Sequence, residues 1–206
     1  LSHFSPDTAP IPELRDGKRN ILFVGRMEKR KGLKYLLGAY SRIKWDNPDT
    51  RLIVVSSQKL NPECERIIAE RDIRDVYIMR DVPYQDISRY YSSADVFCSP
   101  ATGKESQGIV LLEAMAAQKP IVATSIPGYA GVISHGVQGL LVEPKNEEAL
   151  ADSLLLLLKD TQLRQEMGER GRQKAQEYSW ERVAGKIEDY YLRLLSERRL
   201  LSGIGG

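Results

Sequence analysis

Short, continuous apolar runs alternate with segments of helical periodicity along most of the chain. Segments with helical spacing lie at 31–45, 62–71, 84–92 and 108–118. The apolar runs predict buried strands at 21–24, 52–55, 76–79, 96–98, 121–123 and 139–142. Strands that are apolar throughout and separated by helices indicate a parallel sheet covered on both faces. The pattern therefore predicts a Rossmann-like, three-layer α/β/α domain with a six-stranded parallel sheet.

The pattern changes at both ends of the chain. Residues 1–19 are rich in proline and polar residues and are expected to form an extended lead-in. Near the other end, Asn146 is expected to cap a helix that has acidic residues in its first turn. A charged helical stretch follows at 160–177, and Ser179 is expected to cap a final helix. We expect this organisation: a lead-in at 1–19, a ligand-binding domain at 20–178, and a terminal helix and tail at 179–206.

The final helix is amphipathic. Its apolar positions follow one face and include Val183, Ile187, Tyr190 or Tyr191, and Leu194. Because the helix comes after the sheet is complete, this face could cross to another domain.

The charge balance limits the classes of function. The 30 Lys and Arg residues against 28 Asp and Glu leave a net charge of +2. A protein built mainly to hold nucleic acid carries a larger positive excess, so that class is disfavoured, although a local basic cluster is compatible with the balance. The two cysteines, Cys64 and Cys98, cannot form a disulfide framework and lack zinc-site spacing. They indicate reduced thiols and a cytoplasmic protein.

A basic loop follows the first predicted strand. Gly25 lets the backbone turn close to a ligand, Arg26 comes at the end of the strand, and Lys31 precedes the next helix. Ligands of parallel sheets bind at this edge, and phosphates bind at helix N-termini. The spacing is neither that of a Walker loop nor that of the dinucleotide fingerprint. The alternative is a solvated basic loop, or a nucleic-acid patch over 26–34.

A second candidate segment spans 105–117. Glu113 is the one charge in a helix that is apolar nearly all round, so it needs either a cationic partner or the hydroxyls of a ligand. Glu105 precedes that helix, whose free N–H groups suit an anion. The alternative is a buried ion pair and an ordinary cap. The N–H groups belong to Gln107, Gly108, Ile109 and Val110.

A third segment follows the third predicted strand. Arg80 and Val82 would lie at the ligand edge, although a plain turn closed by Pro83 is an equal alternative. No Asp-x-Asp pair, the usual carboxylate handle for a metal-bound nucleotide-sugar, occurs anywhere in the chain. The sequence thus offers no metal ligands of that type.

Taken together and in order, these segments resemble the C-terminal domain of the retaining glycosyltransferases of family 4, which have the two-domain GT-B architecture. The details are most similar to phosphatidylinositol mannosyltransferase-like members, which use GDP-mannose. The resembling segments are FSP at 4–6, ILFVGRMEKRKGLKYLLGAY at 21–40, SSADVFCSP at 92–100, ESQGIVLLEAMAAQKPIVAT at 105–124, GLLVEPKNEEALADSL at 139–154 and YSWERVAGKIEDYY at 178–191.

The resemblance implies a role for each candidate. Arg26 and Lys31 would clamp the donor diphosphate and stabilise the charge on the departing nucleotide. Glu105 would hold hydroxyls of the transferred sugar, and Glu113 those of the ribose. Gly25 would approach the donor, and Val82 with Arg80 would border the base. Gln107, Gly108, Ile109 and Val110 would offer backbone amides, although the family often has Phe at the position of Gln107.

The resemblance also implies the reaction. A hexose would pass from a GDP-, UDP- or ADP-sugar to an acceptor hydroxyl with retention of configuration and without a cofactor or metal. The acceptor, a sugar or a lipid, would be bound by an N-terminal domain outside this chain, so the chain alone should be inactive or nearly so. The full-length protein could associate peripherally with the cytoplasmic membrane face.

Two alternatives stay open. One is an epimerase or a phosphorolytic enzyme of the same architecture. The other is a non-catalytic module that binds nucleotide, nucleic acid or a protein partner through 26–34, against which the near-neutral net charge counts.

Overall fold

A single all-parallel sheet forms the centre of the molecule. The computed structural model describes the backbone of residues 3–202 and the side chains of residues 3–195. The sheet has the strand order β3-β2-β1-β4-β5-β6, which confirms the predicted six-stranded parallel sheet. The strands are β1 (Arg19–Val24), β2 (Thr50–Ser56), β3 (Val76–Arg80), β4 (Val96–Ser99), β5 (Ile121–Thr124) and β6 (Gly139–Val142).

The order of the strands changes direction at β1: β2 and β3 follow on one side of it, and β4, β5 and β6 follow on the other. Strand β1 pairs with β2 on one side and with β4 on the other, so that Ile21 lies between Leu52 and Val96. The crevice beyond the carboxyl ends of β1 and β4 is therefore the switch point of the sheet. Ligands of open α/β sheets bind at such a point.

Helices cover both faces of the sheet, as predicted. Ile21 and Phe23 of β1 face one core, and Leu22 between them faces the other. In chain order the helices are α1 (Leu33–Asp46), α2 (Pro62–Glu70), α3 (Tyr84–Ser93), α4 (Ile109–Ala116), α5 (Pro127–Ala130), α6 (Glu147–Lys159), α7 (Thr161–Gln176) and α8 (Trp180–Ser202). Helices α1, α2 and α6 enclose the first core, and α3, α4 and α5 enclose the second.

Several element boundaries differ from the prediction for local reasons. The first helix begins at Leu33, not at 31, because Lys29–Lys31 form a 3-10 turn that ends at Gly32 in the left-handed conformation, with φ 74°. The fourth helix spans Ile109–Ala116, so the loop that contains Glu105 is not helical. The short helix α5 was not predicted, because four residues that begin with a proline carry no periodicity.

The lead-in packs on the domain. Phe4 is buried, and its ring meets that of Tyr91 edge-on at 5.4 Å. Ser92 Oγ donates to the carbonyl of Thr8 at 2.5 Å. The expected extended segment also contains a 3-10 turn at Pro12–Leu14. These contacts hold the lead-in against α3.

The C-terminal helices begin with the predicted caps. The side chain of Asn146 accepts from the amide of Ala149 at 2.9 Å, and that of Ser179 accepts from Arg182 at 3.3 Å. The apolar side chains of α8 are largely exposed, including Ile187 and Tyr190. Its packing on another domain stays a prediction. No helix within residues 3–202 has both the length and the apolar character to cross a bilayer.

Both cysteines are free, as the sequence suggested, and the structure places both in the interior. Burial raises the pKa of the Cys64 thiol to about 11 and that of Cys98 further still. Neither thiol is activated as a nucleophile.

Candidate functional site

Two loops form the walls of the crevice at the switch point. One follows β1 and begins at Gly25, and the other follows β4. The amide of Thr102 donates to the carbonyl of Arg30 at 2.8 Å, which joins the two backbones. A Cβ built on Gly32 would lie 1.9 Å from the carbonyl oxygen of Pro100. Only glycine therefore allows this approach, and the two loops are fixed relative to each other.

Five side chains of alternating charge cross the crevice, and we refer to them as the ion-pair chain. Arg26 Nε lies 2.8 Å from Glu28 Oε1, and Arg30 Nε lies 2.6 Å from the other oxygen of Glu28. Arg30 Nη1 then pairs with Glu105 Oε1. The same oxygen lies 2.8 Å from Lys31 Nζ. Two of the predicted site residues, Lys31 and Glu105, are thus in direct contact.

The members of the ion-pair chain differ in exposure. The side chain of Arg26 is 61% exposed, whereas those of Lys31 and Glu105 are 16% and 10% exposed. Exposed ion pairs contribute little, so Arg26 is free to exchange its partner for a ligand. Partial burial opposes the charge of Arg30, but the hydrogen bond to Glu28 and the charge of Glu105 outweigh it and raise the Arg30 pKa. The ion-pair chain is therefore most exposed at Arg26 and most buried at Lys31 and Glu105.

Glu105 forms the buried ion pair that the sequence left open as the alternative for the segment 105–117. It is a largely buried carboxylate with cationic partners, Arg30 and Lys31. The cations after β1 and this carboxylate do face each other across the crevice. In the structure they neutralise one another.

Glu113 has a different environment. Tyr91 donates its phenolic proton to Glu113 Oε2 at 2.8 Å, and no Lys or Arg of residues 3–195 forms an ion pair with Glu113. Burial raises the pKa of Glu113, and the hydrogen bond from Tyr91 partly offsets this effect. The carboxylate retains acceptor capacity for a further donor such as a ligand hydroxyl.

The start of α4 offers unused backbone donors. Gly108 precedes the helix in the left-handed conformation, with φ 68°, and a Cβ there would lie 2.6 Å from the ring of Tyr129. Glycine thus sets the angle at which the helix begins. Four backbone N–H groups at this point have no acceptor among the described residues. They belong to Gln107, Gly108, Ile109 and Val110.

Arg80 and Val82 lie apart from the ion-pair chain. Arg80 is the last residue of β3 and Val82 follows it, and β2 separates this strand from β1. Among the described residues, neither forms a hydrogen bond or ion pair with Arg26, Lys31 or Glu105. Arg80 is exposed and Val82 is half-buried. Both line a cavity of about 550 Å³ between the β3–α3 loop and the lead-in. The structure thus places them at the same edge of the sheet, but not in the same cluster.

Three residues of the site were missed by reasoning from the sequence. Arg30 and Glu28 complete the ion-pair chain, and Tyr91 is the partner of Glu113. The sequence predicted that cations of the loop after β1 would line the site, but spacing alone could not show which of these cations contact Glu105. In the described part of the chain, no three or more His, Cys, Asp or Glu side chains come together as metal ligands would.

Comparison with known proteins identifies the family. Residues 5–174 match the family described as Glycosyl transferases group 1. The chain belongs to this family. The resemblance to the donor-side domain of GT-B, family 4 glycosyltransferases is thereby confirmed, together with the Rossmann-like layering.

Individual relatives agree with this assignment. The chain is 35% identical over 91% of its length to the phosphatidyl-myo-inositol mannosyltransferase of Mycobacterium leprae, of which it covers 49%. It is 36% identical over 84% of its length to a D-inositol 3-phosphate glycosyltransferase of Corynebacterium urealyticum, of which it covers 42%. The structure of sucrose-phosphate synthase from Thermosynechococcus elongatus superimposes with a TM-score of 0.80 and 26% identity, over 95% of this chain and 51% of that one. The chain spans about half the length of the curated relatives that it matches.

Proposed function

We propose that this chain is the donor-binding half of a retaining glycosyltransferase that transfers a hexose from a nucleoside-diphosphate sugar to an acceptor hydroxyl. The observation that carries the proposal is the contact between Lys31 and Glu105 at the switch point. A cation suited to a diphosphate and a carboxylate suited to sugar hydroxyls lie side by side where such sheets bind ligands. The family assignment gives this pair its chemical context.

Lys31 and Arg26 would serve the leaving group. Cleavage of the bond between sugar and diphosphate places negative charge on the nucleotide in the transition state. Fixed cations beside that charge lower the barrier, and they supply the stabilisation that a metal ion gives in other enzymes. The exposed Arg26 and the less exposed Lys31 would approach the diphosphate from the Gly25 loop. We therefore propose a reaction without a metal or other cofactor.

The remaining candidates would position the donor. Glu113, which has no Lys or Arg ion pair among residues 3–195 and is already oriented by Tyr91, would accept hydrogen bonds from the ribose hydroxyls. Glu105 would accept hydrogen bonds from hydroxyls of the transferred sugar. The unused amides of residues 107–110 would donate to the sugar and the phosphate. Val82 and Arg80 would border the base, two strands away along the same edge.

GDP-mannose is the donor that we favour among GDP-, UDP- and ADP-sugars. The support is the similarity to the Mycobacterium leprae relative, which is named a mannosyltransferase. The names of this relative and of the Corynebacterium urealyticum enzyme both contain inositol, and we propose a polyol acceptor on that basis.

The acceptor would be bound by a further domain. The relatives are about twice the length of this chain, which leaves room for a second domain in them. Within this chain we place the donor-binding unit at 20–178, between the lead-in 1–19 and the terminal segment 179–206. A domain N-terminal to the lead-in would hold an acceptor sugar or lipid. The chain alone would then bind donor but transfer little or nothing. We propose a cytoplasmic protein, with peripheral membrane association if the acceptor is a lipid.

Nucleotide binding tests this proposal. We expect the chain to bind at least one of GDP, UDP and ADP in calorimetry, and a ligand at 100 times its Kd to add about 2.7 kcal/mol to the stability. Lys31→Gln should weaken the binding, whereas Lys29→Gln, which removes an exposed neighbouring cation, should not. If none of the three nucleotides binds, the proposal is wrong. Analysis of the products made by the full-length protein separates transfer from epimerisation and phosphorolysis.

A further inference from the structure

Arg30 holds both walls of the crevice together. Its Nε donates to Glu28 at 2.6 Å, and its Nη1 donates to Glu105 and to the carbonyl of Lys104 at 3.1 Å. A guanidinium can hold several acceptors at once because its donors point in fixed directions. The backbone bond from Thr102 to the carbonyl of Arg30 fixes the same place independently of the side chain. Arg30 is thus anchored without any ligand.

Lys31 is held differently. Among the described side chains its ammonium has one charged partner, Glu105 Oε1 at 2.8 Å, and it stands on a flexible four-carbon stem. The proposed function needs this ammonium at the donor diphosphate. It also needs the carboxylate of Glu105, which is only 10% exposed, to remain in place for the sugar. A buried carboxylate that loses its cation is strongly destabilised, so Glu105 requires a second cation when Lys31 turns to the ligand.

We propose that Arg30 is the positioning residue that holds Glu105 in place for the donor sugar while Lys31 is engaged by the diphosphate. The inference rests on the proposed function. Arg30 touches neither the sugar nor the phosphate in this arrangement and acts through Glu105 alone. Two adjacent cations therefore have separate effects: Lys31 governs the affinity for any nucleoside diphosphate, and Arg30 governs the additional affinity conferred by the sugar.

Paired ligands separate these effects. Calorimetry would measure the affinity of the chain for GDP and GDP-mannose, for UDP and UDP-glucose, and for ADP and ADP-glucose, and would continue with the pair that binds. We expect Arg30→Gln to weaken the nucleotide-sugar about tenfold, the loss of one charged hydrogen bond. The affinity for the free nucleoside diphosphate should stay within about twofold. Lys31→Gln should weaken both ligands.

Three further variants exclude a merely structural effect. Arg30→Lys keeps a cation near Glu105 and should recover part of the nucleotide-sugar affinity. Arg30→Gln made in a Glu105→Gln background should cause no additional loss, because its effect passes through that carboxylate. Lys29→Gln, in the same turn, should leave both affinities unchanged.

The outcomes are distinguishable. If Arg30→Gln weakens both ligands equally, or weakens neither, the positioning role is wrong while the proposed function stands. If Arg30→Gln does not fold, Arg30→Lys replaces it in the same comparison. A positioning role then requires that Arg30→Lys weaken the nucleotide-sugar more than the free nucleoside diphosphate, and an equal loss or no loss would show that the role is wrong. If the unaltered chain binds none of the six ligands, the proposed function is wrong and this inference fails with it.

Discussion

Tyr91 near the end of α3 donates a 2.8 Å hydrogen bond to Glu113 in the middle of α4. Tyr91 is fully buried, and burial together with the adjacent carboxylate raises its pKa well above the ordinary value, so it remains a proton donor at physiological pH. The bond fixes the direction of a carboxylate that forms no ion pair with a Lys or Arg of residues 3–195. It also links two helices on one face of the sheet.

Removal of the Tyr91 hydroxyl should destabilise the chain. Tyr91→Phe leaves the half-buried Glu113 carboxylate without its donor, and a hydrogen bond to a charged group contributes about 1.5–3 kcal/mol. Urea unfolding near neutral pH would measure the loss. Tyr90→Phe is the matched control, because Tyr90 is also buried but makes no hydrogen bond through its hydroxyl among the described residues. Equal losses for the two variants would show that the bond to Glu113 contributes nothing.

The raised pKa of Glu113 predicts a pH-dependent penalty. The folded chain binds this proton more tightly than the unfolded chain does, so ionisation lowers stability as the pH rises from about 4.5 through the folded pKa. Glu113→Gln removes the charge and keeps an acceptor for Tyr91. We expect the melting temperature of the variant to exceed that of the parent chain increasingly over this range, and to change little relative to it at higher pH. A difference independent of pH would contradict the assignment.

The strand and helix alternation was readable from sequence because it depends on local pattern. The run at 52–55 is short, apolar and rich in β-branched residues, which is typical of a strand buried on both faces. The N-caps at Asn146 and Ser179 were predicted for a similar reason, since a cap needs only a side-chain oxygen within three residues of the amide it binds.

The side-chain contacts between residues far apart in the sequence could not be predicted from local pattern. Arg30 and Glu105 are 75 positions apart, and their contact depends on a 3-10 turn and a left-handed glycine that set which cation faces the β4 loop. Tyr91 likewise could not be distinguished from Tyr90, since adjacent tyrosines differ in direction by a fraction of a turn. The residue types of the site follow from the sequence, but the partners follow from the fold.

Gly32 should be indispensable for the geometry of the crevice. Gly32→Ala combines a left-handed backbone, with φ 74°, and a Cβ placed 1.9 Å from the carbonyl oxygen of Pro100. Gly17→Ala shares the positive φ, 93°, but its Cβ meets nothing within 4 Å. The strain of a left-handed alanine costs about 1–2 kcal/mol in both, so any excess in Gly32→Ala measures the clash. Urea unfolding of the two variants gives that difference, and we expect Gly32→Ala to lose more.

Lys119 should make stability depend on pH in the alkaline range. It donates to the carbonyl of Ser92 at 2.9 Å, and burial lowers its pKa to about 8, with Asp95 opposing and Arg15 reinforcing the shift. Below about pH 8, Lys119 is protonated in both the folded and the unfolded chain. From about pH 8 to 10.5 the unfolded chain binds more protons, so rising pH favours the folded state. Lys119→Gln lacks this effect, and urea midpoints should therefore rise in the parent chain relative to the variant over that interval. Parallel pH profiles would show that Lys119 titrates as an exposed lysine does.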